Sequence, residues 1–171
     1  MPQKIVFMGT PKFSLPTLEM LLKSEHKVLA VYTQPPRKSN RGQKVNPSDI
    51  EAFSKKHSLK LRTPENLNED EEFNYLKKLK PDVVVVVAYG KIIPKRFLDL
   101  PKNGFINIHA SLLPVWRGAA PIQRSIMNLD KETGISIMKI VESLDAGPVM
   151  QQEKISINEN IDALTLSKVL S

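Results

Sequence analysis

Short apolar runs alternate with longer amphipathic stretches along the chain. Ile5, Val6, Phe7 and Met8 follow one another in Lys4–Met8 and stop at Gly9, which predicts a buried strand. From Phe13 to Ser24, Leu15, Leu18, Leu21 and Leu22 recur at helical spacing, with Pro16 in the first turn of the predicted helix. Val28–Thr33 is a second strand rich in β-branched residues, and Leu59–Leu61 a short third. Helices are predicted over Pro47–His57 and Glu69–Leu79. The latter has an acidic first turn and a lysine-rich end, matching the helix dipole. Asp82–Ala88 is the clearest strand, since Val83 to Val87 is apolar on both faces, as in a central parallel strand covered on each side. Then come a strand at Gly104–His109, a helix at Pro121–Leu129 and a strand at Gly134–Val141. An antiparallel return strand at Val149–Ile157 and a helix at Ile161–Leu170 complete the pattern. The succession predicts a single α/β domain with a doubly wound, mostly parallel sheet.

Composition narrows the chemistry. The 171 residues contain no cysteine, which excludes disulfides, thiolate metal sites and a cysteine nucleophile. The longest apolar run, Val83 to Ala88, is far short of the ~20 residues of a membrane span. Met1-Pro2-Gln3-Lys4-Ile5 leads straight into a strand without a signal-peptide core. A cytoplasmic protein without a membrane partner is therefore expected. The net charge of +7 is concentrated. Residues 34–62 hold Arg37, Lys38, Arg41, Lys44, Lys55, Lys56, Lys60 and Arg62 against only Asp49 and Glu51. A polyanionic partner such as nucleic acid would leave this footprint, and so would a solvated loop and helix face. Pro35, Pro36, Ser39, Asn40 and Gly42 predict a long polar loop there.

Familiar nucleotide motifs are missing. Gly9-Thr10-Pro11-Lys12-Phe13-Ser14 lacks both the dinucleotide fingerprint and the P-loop signature, and there is no G-x-S-x-G elbow. The histidines His26, His57 and His109 are far apart and lack paired acidic neighbours, so no metal is expected. His26 and His57 lie beside lysines and read as surface residues. His109 differs, because it ends the strand Phe105-Ile106-Asn107-Ile108-His109, where ligands collect in open parallel sheets. Alternation puts Asn107 and His109 on one face and Ile106 and Ile108 on the other. Asp145 lies in a turn fixed by Gly147 and Pro148. It joins the pair only if the fold brings it there.

Several longer strings carry a family likeness: Asn107-x-His109-x-Ser111-Leu112-Leu113-Pro114, Arg117-Gly118-Ala119-Ala120-Pro121-Ile122-Gln123-Arg124 and Leu144-Asp145-Ala146-Gly147. With Phe7-Met8-Gly9-Thr10-Pro11, Thr33-Gln34-Pro35, Arg41-Gly42-Gln43-Lys44 and Val86-Val87-Ala88-Tyr89-Gly90, the chain resembles the formyltransferases that use 10-formyltetrahydrofolate. The likeness is greatest to the branch acting on methionyl-tRNA. It implies a Rossmann-like fold and formyl transfer to the α-amino group of methionyl-initiator tRNA. In that reaction Asn107 and His109 would donate to the oxyanion. Asp145 would hold the imidazole tautomer, favour its charged form and relay a proton. Ser111, Leu112, Leu113 and Pro114 would wall the folate pocket, with backbone groups reaching the pterin edge, and Arg41 and Lys44 would contact tRNA. A monomer is expected. Members of the branch carry a further C-terminal β-barrel, so residues 1–171 are expected to be a catalytic domain lacking its own C-terminal end and that barrel. The alternatives are an inactive remnant that binds folate or tRNA, and a formyltransferase for a small amine.

Overall fold

The computed structural model describes residues 1–39, 44–158 and 160–171. The run of apolar residues at the start forms β1 (Lys4–Gly9), followed by a 3-10 turn and α1 (Leu15–Lys23), with Pro16 in the first turn of the helix. Next come β2 (Lys27–Tyr32), β3 (Arg37–Ser39) and β4 (Lys44–Asn46). They are followed by α2 (Asp49–Lys56), β5 (Leu61–Arg62), α3 (Asp70–Leu79) and β6 (Val83–Val87). The second half holds α4 (Lys95–Leu98), β7 (Phe105–His109), α5 (Pro121–Met127), β8 (Glu132–Lys139), β9 (Val149–Ser156) and α6 (Ala163–Leu170).

Seven strands form one sheet in the order β5-β2-β1-β6-β7-β8-β9. The pairs from β5 to β7 are parallel, whereas β8 and β9 each run antiparallel to the strand before them. Period-two alternation divides the core. Val6, Met8, Tyr32, Val84 and Val86 pack on one face with Leu76 of α3 and Phe97 of α4. Phe7, Val31 and Val87 pack on the other with Leu18 of α1 and Ile50 of α2. The doubly wound α/β reading holds.

Local differences have physical causes. Arg37–Ser39 pairs with Lys44–Asn46 as a small antiparallel ribbon, with Arg37 opposite Asn46, where a polar loop is predicted. Its residues alternate without an apolar face, so periodicity gives no strand signal. The four-residue α4 is too short to show helical period. The edge strand β5 lies at Leu61–Arg62 rather than Leu59–Leu61, displaced by its pairing with Val31 and Tyr32.

The winding places the site. From β1 the chain passes outward to β2 and β5, then returns to β6 on the opposite side of β1. The reversal brings the carboxyl ends of β1 and β6 side by side, the usual position of a ligand crevice. Segments after three strands meet on one carbonyl there. Thr10 Oγ1 and Gln34 Nε2 donate to the Tyr89 carbonyl at 2.8 and 2.9 Å. Gly90 has φ +77°, and a Cβ there would lie 2.2 Å from Gln34 Nε2, so any other residue strains the backbone and displaces the Gln34 amide from the Tyr89 carbonyl.

Candidate active site

Two registers present the first two side chains. In β7, Asn107 pairs with Met138 and His109 with Ser136 of β8, which holds the strand end against a rigid neighbour. The loop between β8 and β9 brings in the third. Lys139 N–H donates to the Pro148 carbonyl at 2.9 Å, closing that loop at its base. Inside it Asp145 adopts a left-handed conformation, φ +44°, which a non-glycine residue holds only when its surroundings fix it. The Gly118 N–H provides one such fixture, donating to Asp145 Oδ2 at 2.8 Å.

Residues separated by 38 positions thus converge. Asn107 Nδ2 lies 3.5 Å from Asp145 Oδ1, and His109 Nδ1 lies 3.7 Å from Asp145 Oδ2. The side chains of His109 and Asp145 are only 8% and 13% exposed, so the pair is weakly screened by solvent. The other ring nitrogen, Nε2, lies 2.9 Å from the Trp116 carbonyl. A carbonyl only accepts, so Nε2 carries a proton. Nδ1 is left facing the Asp145 carboxylate. The two contacts to Asp145 are longer than tight hydrogen bonds. Catalytic bonds are often long before substrate enters. Both donors are therefore able to turn toward an incoming oxygen.

The segment Ser111–Pro114 departs in part from its expected form. Ser111 and Leu113 are buried, leaving Leu112 half-buried and Pro114 exposed as the side chains able to offer a wall. Its backbone groups are largely engaged within the fold. Ser136 Oγ accepts from Leu113 N–H at 3.0 Å and donates to the Ser111 carbonyl at 2.6 Å. Gln152 Nε2 donates to the Leu113 carbonyl at 3.0 Å and to Ser136 Oγ at 2.8 Å. The Leu112 carbonyl accepts from Val115 N–H. The Leu113 N–H and one lone pair on each of the Ser111, Leu112 and Leu113 carbonyls are thus used within the fold.

The basic segment is also altered by folding. Arg41 lies outside the described residues, and Lys44 opens β4. Arg62 pairs with Glu71 and Glu72 and stacks over the Tyr75 ring, and Lys55 pairs with Glu51 at 2.7 Å. Those two charges stabilise the fold. Among the described residues, no helix is long and apolar enough to cross a membrane.

Motif reading missed the groups that hold two of the three side chains, Gly118 through its N–H to Asp145 and Trp116 through its carbonyl to His109, and the Ser136 and Gln152 side chains that hold the Ser111–Pro114 segment. Gly118 lies within a resembling string, but nothing in that string marks its amide as the partner of a carboxylate 27 residues away.

The family described as formyl transferase matches residues 3–170 of the chain. The chain belongs to the formyl transferase family. Among its formyl transferase relatives, the methionyl-tRNA formyltransferase of Pelagibacter ubique (strain HTCC1062) is 59% identical over 172 residues, covering 100% of this chain and 56% of that protein. The methionyl-tRNA formyltransferase of Wolbachia sp. subsp. Drosophila simulans (strain wRi) is 48% identical over 168 residues, covering 98% and 56%. The chain spans about half the length of the curated relatives it matches. In fold it is similar to the phosphoribosylglycinamide formyltransferase from Bacillus halodurans, with a TM-score of 0.80 at 23% identity over 98% of this chain and 87% of that one. A formyltetrahydrofolate deformylase from Pseudomonas syringae pv. tomato str. DC3000 shares the fold at a TM-score of 0.77 and 21% identity, covering 99% and 56%.

Proposed function

We propose that residues 1–171 form the catalytic portion of a methionyl-tRNA formyltransferase. It moves a formyl group from 10-formyltetrahydrofolate to the α-amino group of methionine esterified to initiator tRNA. The observation that carries this reading is the convergence of Asn107, His109 and Asp145 at the end of β7, with the carboxylate within 3.7 Å of both donors. The likeness to methionyl-tRNA formyltransferases over the whole chain supports the choice of acceptor.

The amine attacks the formyl carbon, and the carbonyl oxygen becomes an oxyanion. Asn107 Nδ2 and the Nδ1–H of His109 turn from Asp145 to that oxygen. A fixed donor of this kind contributes about 3–4 kcal/mol to the transition state. Asp145 accepts the proton released by the attacking amine and returns it to the folate nitrogen as the carbon–nitrogen bond breaks. No covalent enzyme intermediate is needed. Ser111, Leu112, Leu113 and Pro114 wall the folate site, with apolar surface from Leu112 and Pro114, and the Val87–Ile93 segment and the loop Val141–Asp145 complete it. Arg41 and Lys44 of the basic segment contact the tRNA backbone. The protein works as a monomer in the cytoplasm.

The test is formyl transfer from 10-formyltetrahydrofolate by the purified protein, with methionyl-tRNA, phosphoribosylglycinamide and an amino sugar as parallel acceptors. Turnover on methionyl-tRNA, far above that on either small amine, is expected. Preference for a small amine would reassign the substrate, and folate or tRNA binding without turnover would leave a binding remnant.

A further inference from the structure

The proposed chemistry uses one edge of the His109 ring, and the opposite edge is held as carefully. Nε2 ends on the carbonyl of Trp116, which has φ +54°. An aromatic residue in that region is strained and keeps it only where its surroundings enforce it. One such contact is on its side chain. The indole Nε1, in the chain's single tryptophan, donates to Asp130 Oδ2 at 2.6 Å. Asn128 Nδ2 donates to the other oxygen, Oδ1, also at 2.6 Å. Donation from Asn128 and from the indole holds the Asp130 carboxyl below the usual carboxylate range, so the acceptor stays ionised and its bonds charge-assisted. Asp130 lies just before β8, whose Ser136 is the register partner of His109. The anchor and the imidazole therefore share one rigid pair of strands.

We infer that Asp130 is a positioning residue: by gripping the Trp116 indole it fixes the carbonyl that holds the Nε2 proton of His109, leaving Nδ1 as the nitrogen that serves the reacting oxygen. This rests on the proposed formyl transfer. Asp145 alone does not set the ring, because at 3.7 Å it makes no tight hydrogen bond to Nδ1. Without the Trp116 carbonyl the imidazole is free to exchange tautomers and rotate, and the donor at the reacting centre is then present only part of the time.

Nitrogen NMR of the imidazoles tests the brace without substrate. There are three histidines, so a His109→Asn variant assigns the signal. In the wild type, the His109 signal is that of the tautomer protonated on Nε2, the nitrogen facing the Trp116 carbonyl. Asp130→Ala and Trp116→Phe each convert His109 to a tautomer mixture, whereas Asp130→Asn, whose amide oxygen still accepts from the indole, retains the wild-type signal. In the transfer assay kcat falls on the order of tenfold to a hundredfold in the first two variants, the range expected from loosening a reacting group. Folate affinity holds steady, and the double variant is no worse than the poorer single one, because the two residues act as one unit. An unchanged His109 tautomer in a folded Asp130→Ala protein would overturn the inference, and so would a mixed tautomer with undiminished kcat. If the wild type has the expected tautomer but transfers no formyl group to any amine, the brace is upheld and the assigned activity is rejected.

Discussion

Gly147→Ala tests whether the geometry of the β8–β9 loop, rather than the mere presence of a carboxylate, sets the rate. A Cβ at position 147 would lie 1.8 Å from the Lys139 carbonyl oxygen and 2.9 Å from its carbon. Real Cβ contacts essentially never come under 3.0 Å, and the obstacle is backbone, so the loop must open by more than 1 Å. The Lys139–Pro148 hydrogen bond ties the base of the loop, which leaves the displacement to be taken up by the residues between. Asp145 is two positions away, and its 2.8 Å bond to Gly118 N–H is the first to stretch. Misplacing a catalytic group by about 1 Å can cost about 100-fold in rate. The clash itself costs about 1–3 kcal/mol of stability, as overpacking does elsewhere. Single-turnover formyl transfer, folate binding and thermal unfolding measured on the same preparation separate the two effects. The expected result is a folded protein of reduced Tm that binds folate and transfers formyl about a hundred times more slowly. A variant of wild-type rate would show that Asp145 is not held in place by this loop, and the proposed relay would lose its geometric basis.

Asp145→Asn keeps an acceptor for Gly118 but removes the charge 3.7 Å from His109 Nδ1. At an effective dielectric near 20 that attraction is ~4 kcal/mol, so kcat should fall by up to about 10³ while folate still binds, and retained turnover would remove the carboxylate from the mechanism. Ser136→Ala leaves the Leu113 N–H buried without its partner, a loss of about 1–3 kcal/mol, read by denaturant unfolding. It should also weaken folate binding through the loosened Ser111–Pro114 segment, and unaltered stability and affinity together would refute that support. Asp162 caps α6 by accepting from Thr165 N–H at 2.7 Å, and that backbone bond lowers its pKa. Its stabilising effect is therefore complete above the ordinary aspartate range and disappears as pH falls through the depressed value. Asp162→Ala should lower Tm near neutral pH and converge with the wild type in acid, and a Tm gap that persists in acid would contradict the capping role.

The central sheet was legible because its strands are buried on both faces. Val83 to Val87 has no polar residue to turn outward, and such a run fits only the middle of a parallel sheet. At the margins the signal fades for a physical reason. The strands Arg37–Ser39 and Lys44–Asn46 pair with each other rather than with the core, so hydrophobic pattern says little about them. α4 spans a single turn, and periodicity needs more than one.

The site was legible in part for the same kind of reason. Strand alternation places Asn107 and His109 on one face at the carboxyl end of β7, which follows from period two alone. Bringing Asp145 to them needs facts that alternation does not contain: β8 runs antiparallel to β7 and finishes opposite Ile106, and the loop that follows folds back until Asp145 reaches Asn107 and His109. Ser111 and Leu113 show the opposite failure. Their string suggests a wall open to ligand, yet Ser136 and Gln152 draw the segment inward through its backbone. Backbone partners have no residue code, since any residue supplies an N–H and a carbonyl. The three chemically distinctive side chains could therefore be named from their types, while the Gly118 amide and the Trp116 carbonyl that orient them could be found only by folding the chain. A motif of this kind specifies which atoms react, and the hydrogen bonds of unremarkable backbone decide whether those atoms meet.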